Sequence, residues 1–206
     1  MSDIKGYDTN MLHTILMMYV TLTPVILSGI ANMAWCKSSL LESTRKPIDN
    51  GKSLSDGKRI FGENKTWKGM IGYLFFNALF TVFWGILCKA ASWENLDFFY
   101  IQHENSISFN LIIGLLLGFA YSLFELPNSF LKRRLGITPG KTRKGFWKVF
   151  FVFLDQADSI FGCAMVVWLF YDLGLPLYLL YVLIGAGTHI IVNMCLYFAG
   201  LRKNMF

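Results

Sequence analysis

The sequence predicts an all-α integral membrane protein with five transmembrane helices and two long basic loops. Hydrophobic residues make up 54% of the 206 residues and charged residues only 16%, whereas a soluble domain carries about 25% charged residues. Five apolar segments reach the ~20 residues that a helix needs to cross the hydrocarbon core of a bilayer. The composition therefore excludes a water-soluble enzyme, and its hydrophobicity excludes a disordered chain.

The five predicted spans cover residues 14–36, 69–91, 109–131, 149–171 and 174–200. The first is longer than the apolar core of a signal peptide, and Lys37 follows it in place of a processing site, so we expect a retained helix. Pro127 predicts a kink or a helix end in the third span, because proline lacks a donor and crowds the Leu123 carbonyl. With no repeat and no separate soluble segment, residues 1–206 are predicted to form a single transmembrane domain.

Basic residues predict the orientation of the helices. Eight lie in the first basic loop, residues 37–68, seven in the second, residues 132–148, and two in the tail, which leaves only Lys5 and Lys89 elsewhere. The loop at 92–106 carries three acidic residues and no Lys or Arg. By the positive-inside rule, both basic loops and the C-terminus are cytoplasmic and the N-terminus lies outside. We expect a multi-pass protein of the cytoplasmic membrane.

Two carboxylates in the fourth span are the clearest sign of a functional site. Asp155 and Asp158 lie between apolar flanks, where a single acid costs ~2.5–3.5 kcal/mol on insertion scales. Three residues apart, they share one face of a helix and repel each other unless a cation lies near. Two interpretations stay open: pairing with Lys or Arg from the loop ends, or binding of a metal ion. Metal binding is favoured, because Mg²⁺ takes one or two carboxylates plus phosphate oxygens.

The end of the third span adds a polar face. Glu125, then Asn128 or Ser129, and Lys132 fall near one side of the helix if it continues through the proline. The basic run that begins at Lys132 is also typical of an anchor at the cytoplasmic interface. In the fifth span, His189 and Asn193 stand four residues apart and can face the same site, although an interhelical hydrogen bond is the expected role.

The first basic loop mixes its charges with Gly, Phe and Trp. Glycines allow backbone N–H groups to approach an anion closely, and Phe61 or Trp67 can stack on a base or lie at the interface. The loop contains no Walker A string and no dinucleotide-binding glycine fingerprint. It indicates either a binding loop for a phosphate-bearing ligand or an interfacial loop that touches anionic lipid head groups.

Three sequence blocks resemble the CDP-archaeol synthase family, which is related to the C-terminal half of phosphatidate cytidylyltransferases. In chain order they are residues 59–69 (RIFGENKTWKG), 126–136 (LPNSFLKRRLG) and 155–159 (DQADS). The blocks occur in the order of the family, and five spans match its architecture. The resemblance covers about residues 49–162.

The resemblance implies a catalytic domain that transfers CMP from CTP to a membrane lipid phosphate with Mg²⁺ and releases pyrophosphate, in phospholipid biosynthesis. Asp155 and Asp158 would hold the metal and, with Lys132, be the catalytic residues. The residues implied for CTP are Lys52, Arg59, Gly62, Lys65, Thr66, Lys68 and Gly69. Those implied for the lipid phosphate are Asn128, Lys132 and Arg133. The lipid is either phosphatidate or an archaeal-type ether lipid phosphate, and the active site would face the cytoplasm.

A non-enzymatic alternative is a small membrane transporter or an anionic-lipid-binding protein with an intramembrane ion site, because intramembrane acids also suit ion coupling. Transporters often show halves related by repeat symmetry, which this sequence lacks, so the enzyme is favoured. The expected partners are CTP, a lipid phosphate and the bilayer, with no nucleic acid. The sequence leaves open whether the chain forms a homodimer.

Overall fold

Five long helices and one short helix are described in the computed structural model, which covers residues 11–138 and 146–200. They are α1 (Met11–Lys37), α2 (Trp67–Ala91), α3 (Phe98–Gln102), α4 (Ile107–Arg134), α5 (Phe146–Phe170) and α6 (Gly174–Phe198). The five long helices are each long and apolar enough to cross a membrane. The predicted helical class and five candidate spans are confirmed, with boundaries that differ by a few residues.

The first basic loop docks onto the end of α4. The ammonium of Lys58 donates to the Arg134 carbonyl at 2.7 Å, and the Arg134 guanidinium pairs with the Asp56 carboxylate at 2.6 Å. These contacts join the loop between α1 and α2 to the C-terminal turn of α4. Other basic residues of the predicted charge pattern lie outside the described residues: Lys5, Lys141, Arg143, Lys144, Arg202 and Lys203.

Helix α4 continues through Pro127 to Arg134, so a helix end at that proline is wrong. The helix ends instead at a Schellman motif, in which Gly136 takes a φ of 73° and donates to the Arg133 carbonyl at 3.0 Å. The Ile137 N–H completes the motif by donating to the Lys132 carbonyl at 2.9 Å. Basic side chains in the last turn also complement the negative end of the helix dipole. The basic run therefore extends a helical face instead of starting a loop.

The long helices pack in the order α1, α2, α4, α5 and α6, each against the next. Helices α1 and α6 are joined by hydrogen bonds from the Tyr181 hydroxyl to the Met18 carbonyl and between the Thr188 and Tyr19 hydroxyls, both at 3.0 Å. Further along both helices, towards the end that carries the first basic loop, α1 and α6 line a common cavity. The wall of this cavity also includes polar side chains of α4 and α5.

Helices α2 and α4 approach closely because glycines face the partner backbone. A Cβ atom built on Gly118 would lie 2.5 Å from the Tyr73 carbonyl oxygen, and one on Gly114 would lie 2.6 Å from the Ala78 Cα. Replacing Gly118 with alanine should therefore push the two helices apart and cost about 1–3 kcal/mol, as overpacking does elsewhere. We expect the melting temperature in detergent to fall by roughly 3–10 °C.

The matched control is Gly187→Ala in α6, where an added Cβ would meet no atom within 4 Å. That variant should melt at or slightly above the wild-type temperature, because alanine favours a helix more than glycine does. Equal melting temperatures for the Gly118 and Gly187 variants would show that the α2–α4 approach tolerates a methyl group.

A buried polar network closes the end of the bundle opposite the first basic loop. The Tyr100 hydroxyl donates to Asn110 Oδ1 at 2.9 Å, and Asn110 Nδ2 donates to Asn105 Oδ1 at 2.8 Å. Nearby, the Asp97 carboxylate caps α3 by accepting the Phe99 N–H at 3.0 Å. Burial raises the pKa of Asp97 to about 6, although the bonds from Phe99 and the Thr21 hydroxyl lower it. This network lies away from the cavity and organises the α2–α4 connection.

Candidate active site

A cavity of about 570 Å³ lies inside the bundle, bordered by the five long helices and the first basic loop. One part of its wall is apolar and comes from α1 and α6, including Leu22, Val25, Ile30 and Val192. The other part is polar and charged and comes from α4, α5 and the loop. Such a cavity suits a ligand that carries both a charged group and apolar chains.

The two acids of α5 face the polar side of α4. Asn128 Nδ2 lies 2.7 Å from Asp155 Oδ1 and 2.8 Å from Asp158 Oδ2, so one amide nitrogen donates to both carboxylates. The Lys132 ammonium, one turn further along α4, contacts both oxygens of Asp155. The continuation of α4 beyond Pro127 makes this arrangement possible, because it places Asn128 and Lys132 on one helical face.

A second ion pair ties the first basic loop to α4. The Lys65 ammonium lies 2.5 Å from the Glu125 carboxylate, one turn before Asn128 on the same helix. Burial lowers the pKa of Lys65, but the charges of Glu125, Asp158 and Asp155 outweigh this and raise it overall. Lys65 therefore stays positively charged at the cavity wall, where Glu125 is its ion-pair partner.

Asp158 is the least compensated charge of the site. Its side chain is buried, its Oδ1 accepts the Ser159 N–H at 2.7 Å, and within residues 11–138 and 146–200 it forms no ion pair with Lys or Arg. The neighbouring Asn128 Oδ1 is buried without a hydrogen-bond partner. The amide nitrogen of Asn128, and not this oxygen, faces the two carboxylates, so the oxygen would join them in holding a cation only after a half-turn of the amide.

The oxygen atoms of these side chains are suitable ligands for a hard divalent cation. The carboxylates of Asp155 and Asp158 and the amide oxygen of Asn128 are all oxygen ligands, the type that Mg²⁺ prefers. Within the described part of the chain, no group of three His, Cys, Asp or Glu side chains converges to hold a metal by itself. A metal here would therefore complete its coordination with water and substrate phosphate oxygens, as Mg²⁺ does in nucleotide sites.

Asp49 organises the first basic loop. Its buried carboxylate accepts the N–H groups of Gly51, Phe61 and Gly62, each at 3.0 Å, and pairs with Arg59 at 2.5 Å. Burial alone would raise the pKa of Asp49, but the bond from Arg59 and the three backbone bonds lower it to about 2. The carboxylate thus holds the loop segment from which Phe61, Asn64 and Lys65 reach the cavity.

Asp49→Asn should loosen this loop. The native pKa lies below that of the unfolded chain, so its stabilisation, about 2 kcal/mol, is present above about pH 4 and is lost between about pH 4 and pH 2. At pH 7 we expect trypsin to cleave the loop of Asp49→Asn roughly 30-fold faster than that of the wild type, measured by limited proteolysis in detergent.

Asp56→Asn is the control for this prediction. Asp56 lies on the surface of the same loop and pairs with Arg134, and its loss should change the cleavage rate by no more than a few-fold. Equal protection of the loop in Asp49→Asn and the wild type would contradict the role of the Asp49 carboxylate.

The structure gathers half of the sequence-predicted site residues at the cavity. Those that line it are Lys65, Asn128, Lys132, Arg133, Asp155 and Asp158. Those predicted for CTP that do not line it are Lys52, Arg59, Gly62, Thr66, Lys68 and Gly69. Of these, Arg59 and Gly62 bind Asp49, and Thr66 caps α2 by accepting the Gly69 N–H at 3.2 Å. Their contacts shape the loop and the start of α2.

Lys68 is placed away from the cavity. Its side chain is buried, and its ammonium donates to the Ser38 carbonyl at 2.6 Å, lies 3.3 Å from Glu42 and sits 5.4 Å from the centre of the Trp35 ring. These contacts join the start of α2 to the end of α1. These contacts give Lys68 a structural role, and its contact with CTP stays a prediction.

Sequence patterns do not identify several residues of the cavity wall. Tyr73 and Tyr121 stack with ring centres 4.0 Å apart beside the two acids of α5. Asn64 and Gln156, which belong to the sequence blocks 59–69 and 155–159, add neutral polar groups. The tyrosines do carry a signal, because tyrosines in membrane helices are enriched at the interfaces and Tyr121 lies midway along α4. The apolar wall of α1 carries none, since cavity-facing and lipid-facing leucines look alike in a sequence.

Comparisons with known proteins agree with this architecture. The family model described as CarS-like CDP-archaeol synthase matches residues 11–206. A CDP-archaeol synthase of Methanoculleus marisnigri is 32% identical over 163 residues, covering 76% of this chain and 87% of that protein. One of Methanocaldococcus jannaschii is 25% identical over 187 residues, covering 90% and 96%.

A solved structure shares the fold. It is described as "Structural insight into an intramembrane enzyme for archaeal membrane lipids biosynthesis". It superposes with a TM-score of 0.54 at 24% identity, covering 85% of this chain and 92% of that chain.

Proposed function

The chain belongs to the CDP-archaeol synthase family, a family of CTP-dependent cytidylyltransferases that act on a lipid phosphate, and we propose that the transfer takes place in the cavity between α4 and α5. The observation that carries this proposal is the pair of α5 carboxylates that converge on Asn128, with Asp158 buried and without an ion pair among the described residues. Residues 1–206 would act as one catalytic domain.

Asp155, Asp158 and Asn128 would hold the Mg²⁺ ion. When bound, the ion supplies a Lewis acid that neutralises charge on the substrate phosphates. A half-turn of the Asn128 amide would direct its unpartnered oxygen to such a cation, and Asp158 would gain a counter-charge. The same residues would therefore be satisfied by the ion that the chemistry requires.

Lys65 would bind the triphosphate of CTP, and Lys132 with Arg133 would bind the lipid phosphate. All three line the cavity, and charge-assisted hydrogen bonds to phosphate are about twice as strong as neutral ones. Lys65 and Lys132 are paired with Glu125 and Asp155 in this structure. We propose that the substrate phosphates compete for these ammonium groups, which frees the carboxylates to face the cation.

The reaction needs positioning more than proton transfer. An oxygen of the lipid phosphate forms a bond to the α-phosphorus of CTP, while the bond from that phosphorus to the bridging oxygen breaks and pyrophosphate leaves with the electron pair. The attacking group is already an anion, so no side chain has to act as a general base. The residues lower the barrier by holding crowded phosphates in line and balancing their charge.

The lipid is an ether-linked glycerol phosphate in this proposal, because the relatives are CDP-archaeol synthases. Its apolar chains would lie against the α1 and α6 wall of the cavity. The end of the bundle with the first basic loop would face the cytoplasm, which supplies CTP and which the positive-inside rule favours for that loop. The chain would lie in the cytoplasmic membrane.

Transfer of label from radioactive CTP tests this function. Purified protein in detergent is incubated with Mg²⁺, labelled CTP and either a diether glycerol phosphate or phosphatidate, and the organic phase is counted. We expect label with the diether lipid that disappears when a chelator removes Mg²⁺. Label with phosphatidate alone would correct the lipid class, and folded protein that transfers no label to either lipid would refute the proposal.

A further inference from the structure

Helix α5 presents a second polar face next to its acidic one. Asp155 and Asp158 face α4, whereas Gln156 lies about 100° around the helix from Asp155 and faces α6. Asn193 Nδ2 donates to Gln156 Oε1 at 2.6 Å, and His189 Nδ1 lies 3.2 Å from the Gln156 carbonyl oxygen. All three side chains line the cavity. The interhelical bonds expected of His189 and Asn193 are therefore present, and they converge on a residue beside the metal ligands.

The amide of Gln156 is held so that its nitrogen remains a donor. Its oxygen is engaged by Asn193, and among the described residues no acceptor contacts its Nε2. The residue as a whole is only 2% exposed, and a hydrogen bond that such an amide makes to a ligand contributes to binding. The side chain is thus oriented by Asn193, with two N–H groups available to a ligand in the cavity.

The position of the Gln156 amide nitrogen determines which atoms of a bound lipid it would contact. The phosphate-binding residues occupy the α4 side of the cavity, the apolar wall begins on α6, and Gln156 lies between them. In a glycerol lipid phosphate, the atoms between phosphate and chains are the glycerol linkage oxygens, which are uncharged and only accept hydrogen bonds. A neutral donor matches these oxygens, and a charged residue would not be needed there.

We propose that Gln156 is a specificity-determining residue whose amide nitrogen donates to a glycerol linkage oxygen of the lipid, and that Asn193 is the positioning residue that orients it. This inference rests on the proposed function and names how the lipid backbone is recognised. The competing role is that the Gln156–Asn193 bond merely holds α5 and α6 together. If Gln156 contacts the lipid, its replacement changes the preference of the protein between lipids with and without linkage oxygens. If Gln156 only joins the helices, that preference stays the same.

The test compares two lipids with equal phosphate groups. One is a diether glycerol phosphate, and the other is a long-chain alkyl monophosphate that lacks linkage oxygens. Dissociation constants are measured without CTP, by displacement of a fluorescent lipid phosphate from wild-type protein, Gln156→Met and Asn193→Leu. We expect Gln156→Met to bind the diether lipid about 3–10-fold more weakly, as loss of a neutral hydrogen bond implies, and the alkyl phosphate unchanged. Asn193→Leu should show a smaller loss of the same preference.

Asn110→Leu is the matched control. Asn110 is a buried amide in α4 that bonds to Tyr100 and Asn105 and does not line the cavity, so its loss should leave the preference between lipids at the wild-type value. Equal weakening of both lipids in Gln156→Met, or no change in either, would overturn the proposal and leave Gln156 with the helix-joining role. Label transfer by the wild type tests the proposed function separately, so the two failures are distinguishable.

Discussion

Replacing Asp158 with asparagine should reduce cytidylyl transfer by about 10²–10³-fold, comparable to the loss of one preorganised charge contact in other active sites. The side chain is buried beside Asn128, and among the described residues no Lys or Arg lies within ion-pair distance of it. Asparagine keeps the size and the hydrogen bond from Asn128 but removes the charge that would hold a divalent cation. The rate is measured as label transferred to lipid at saturating CTP and Mg²⁺.

Asp97→Asn provides the control for a buried carboxylate. Asp97 caps α3 at the opposite end of the bundle, where asparagine can also act as a cap, and transfer should stay near the wild-type rate. Both variants should elute from gel filtration at the wild-type volume and melt at the wild-type temperature. Full turnover by a folded Asp158→Asn protein would show that the charge of Asp158 is not part of the reaction.

Replacing Lys132 with methionine should lower kcat/KM for the lipid phosphate by about 10²-fold. The ammonium contacts both oxygens of Asp155 from one turn of α4 and faces the cavity. Methionine retains most of the apolar stem, so the loss would report on charge, both towards the lipid phosphate and towards Asp155. Initial rates at varied lipid and fixed CTP provide the measurement, and Lys132→Arg should recover only part of the loss, because its planar fork directs its donors differently.

Arg134→Met tests whether any cation at the end of α4 has the same effect. Arg134 lies two residues away but pairs with Asp56 and packs on Phe130, outside the cavity. Its loss should change kcat/KM by only a few-fold. A similar large decrease in both variants would indicate a general attraction of anionic lipid to this end of the bundle, and would remove the specific role of Lys132.

The fold was largely predictable because hydropathy and length alone determine where a chain can cross a bilayer. The acids of α5 could also be recognised in the sequence, since charged residues within a membrane span are rare and usually functional. Of the two interpretations left open for them, pairing with a cation from a loop end describes Asp155, which pairs with Lys132 from the end of α4. Asp158 has no such partner among the described residues, and metal binding there stays a prediction. Sequence spacing could not separate these cases, because the outcome depended on α4 continuing through Pro127.

The first basic loop was predictable in character but not in detail. Its cations are interchangeable in a sequence, yet Lys65 faces the cavity, Arg59 binds Asp49, and Lys68 is buried against Trp35. The choice is made by backbone geometry, because Asp49 collects three N–H groups and thereby sets which side chains point inward. A pattern of basic residues contains no information on that long-range contact.

We expect the cation and the nucleotide to meet between α4 and α5. The most direct measurement is a crystal structure of the protein with Mn²⁺ and a non-hydrolysable CTP analogue, in which anomalous scattering locates the metal. We expect one strong peak within coordination distance of the Asp155 and Asp158 carboxylates and the Asn128 amide, with the triphosphate reaching Lys65. A bound analogue whose metal lies away from both carboxylates would contradict the account.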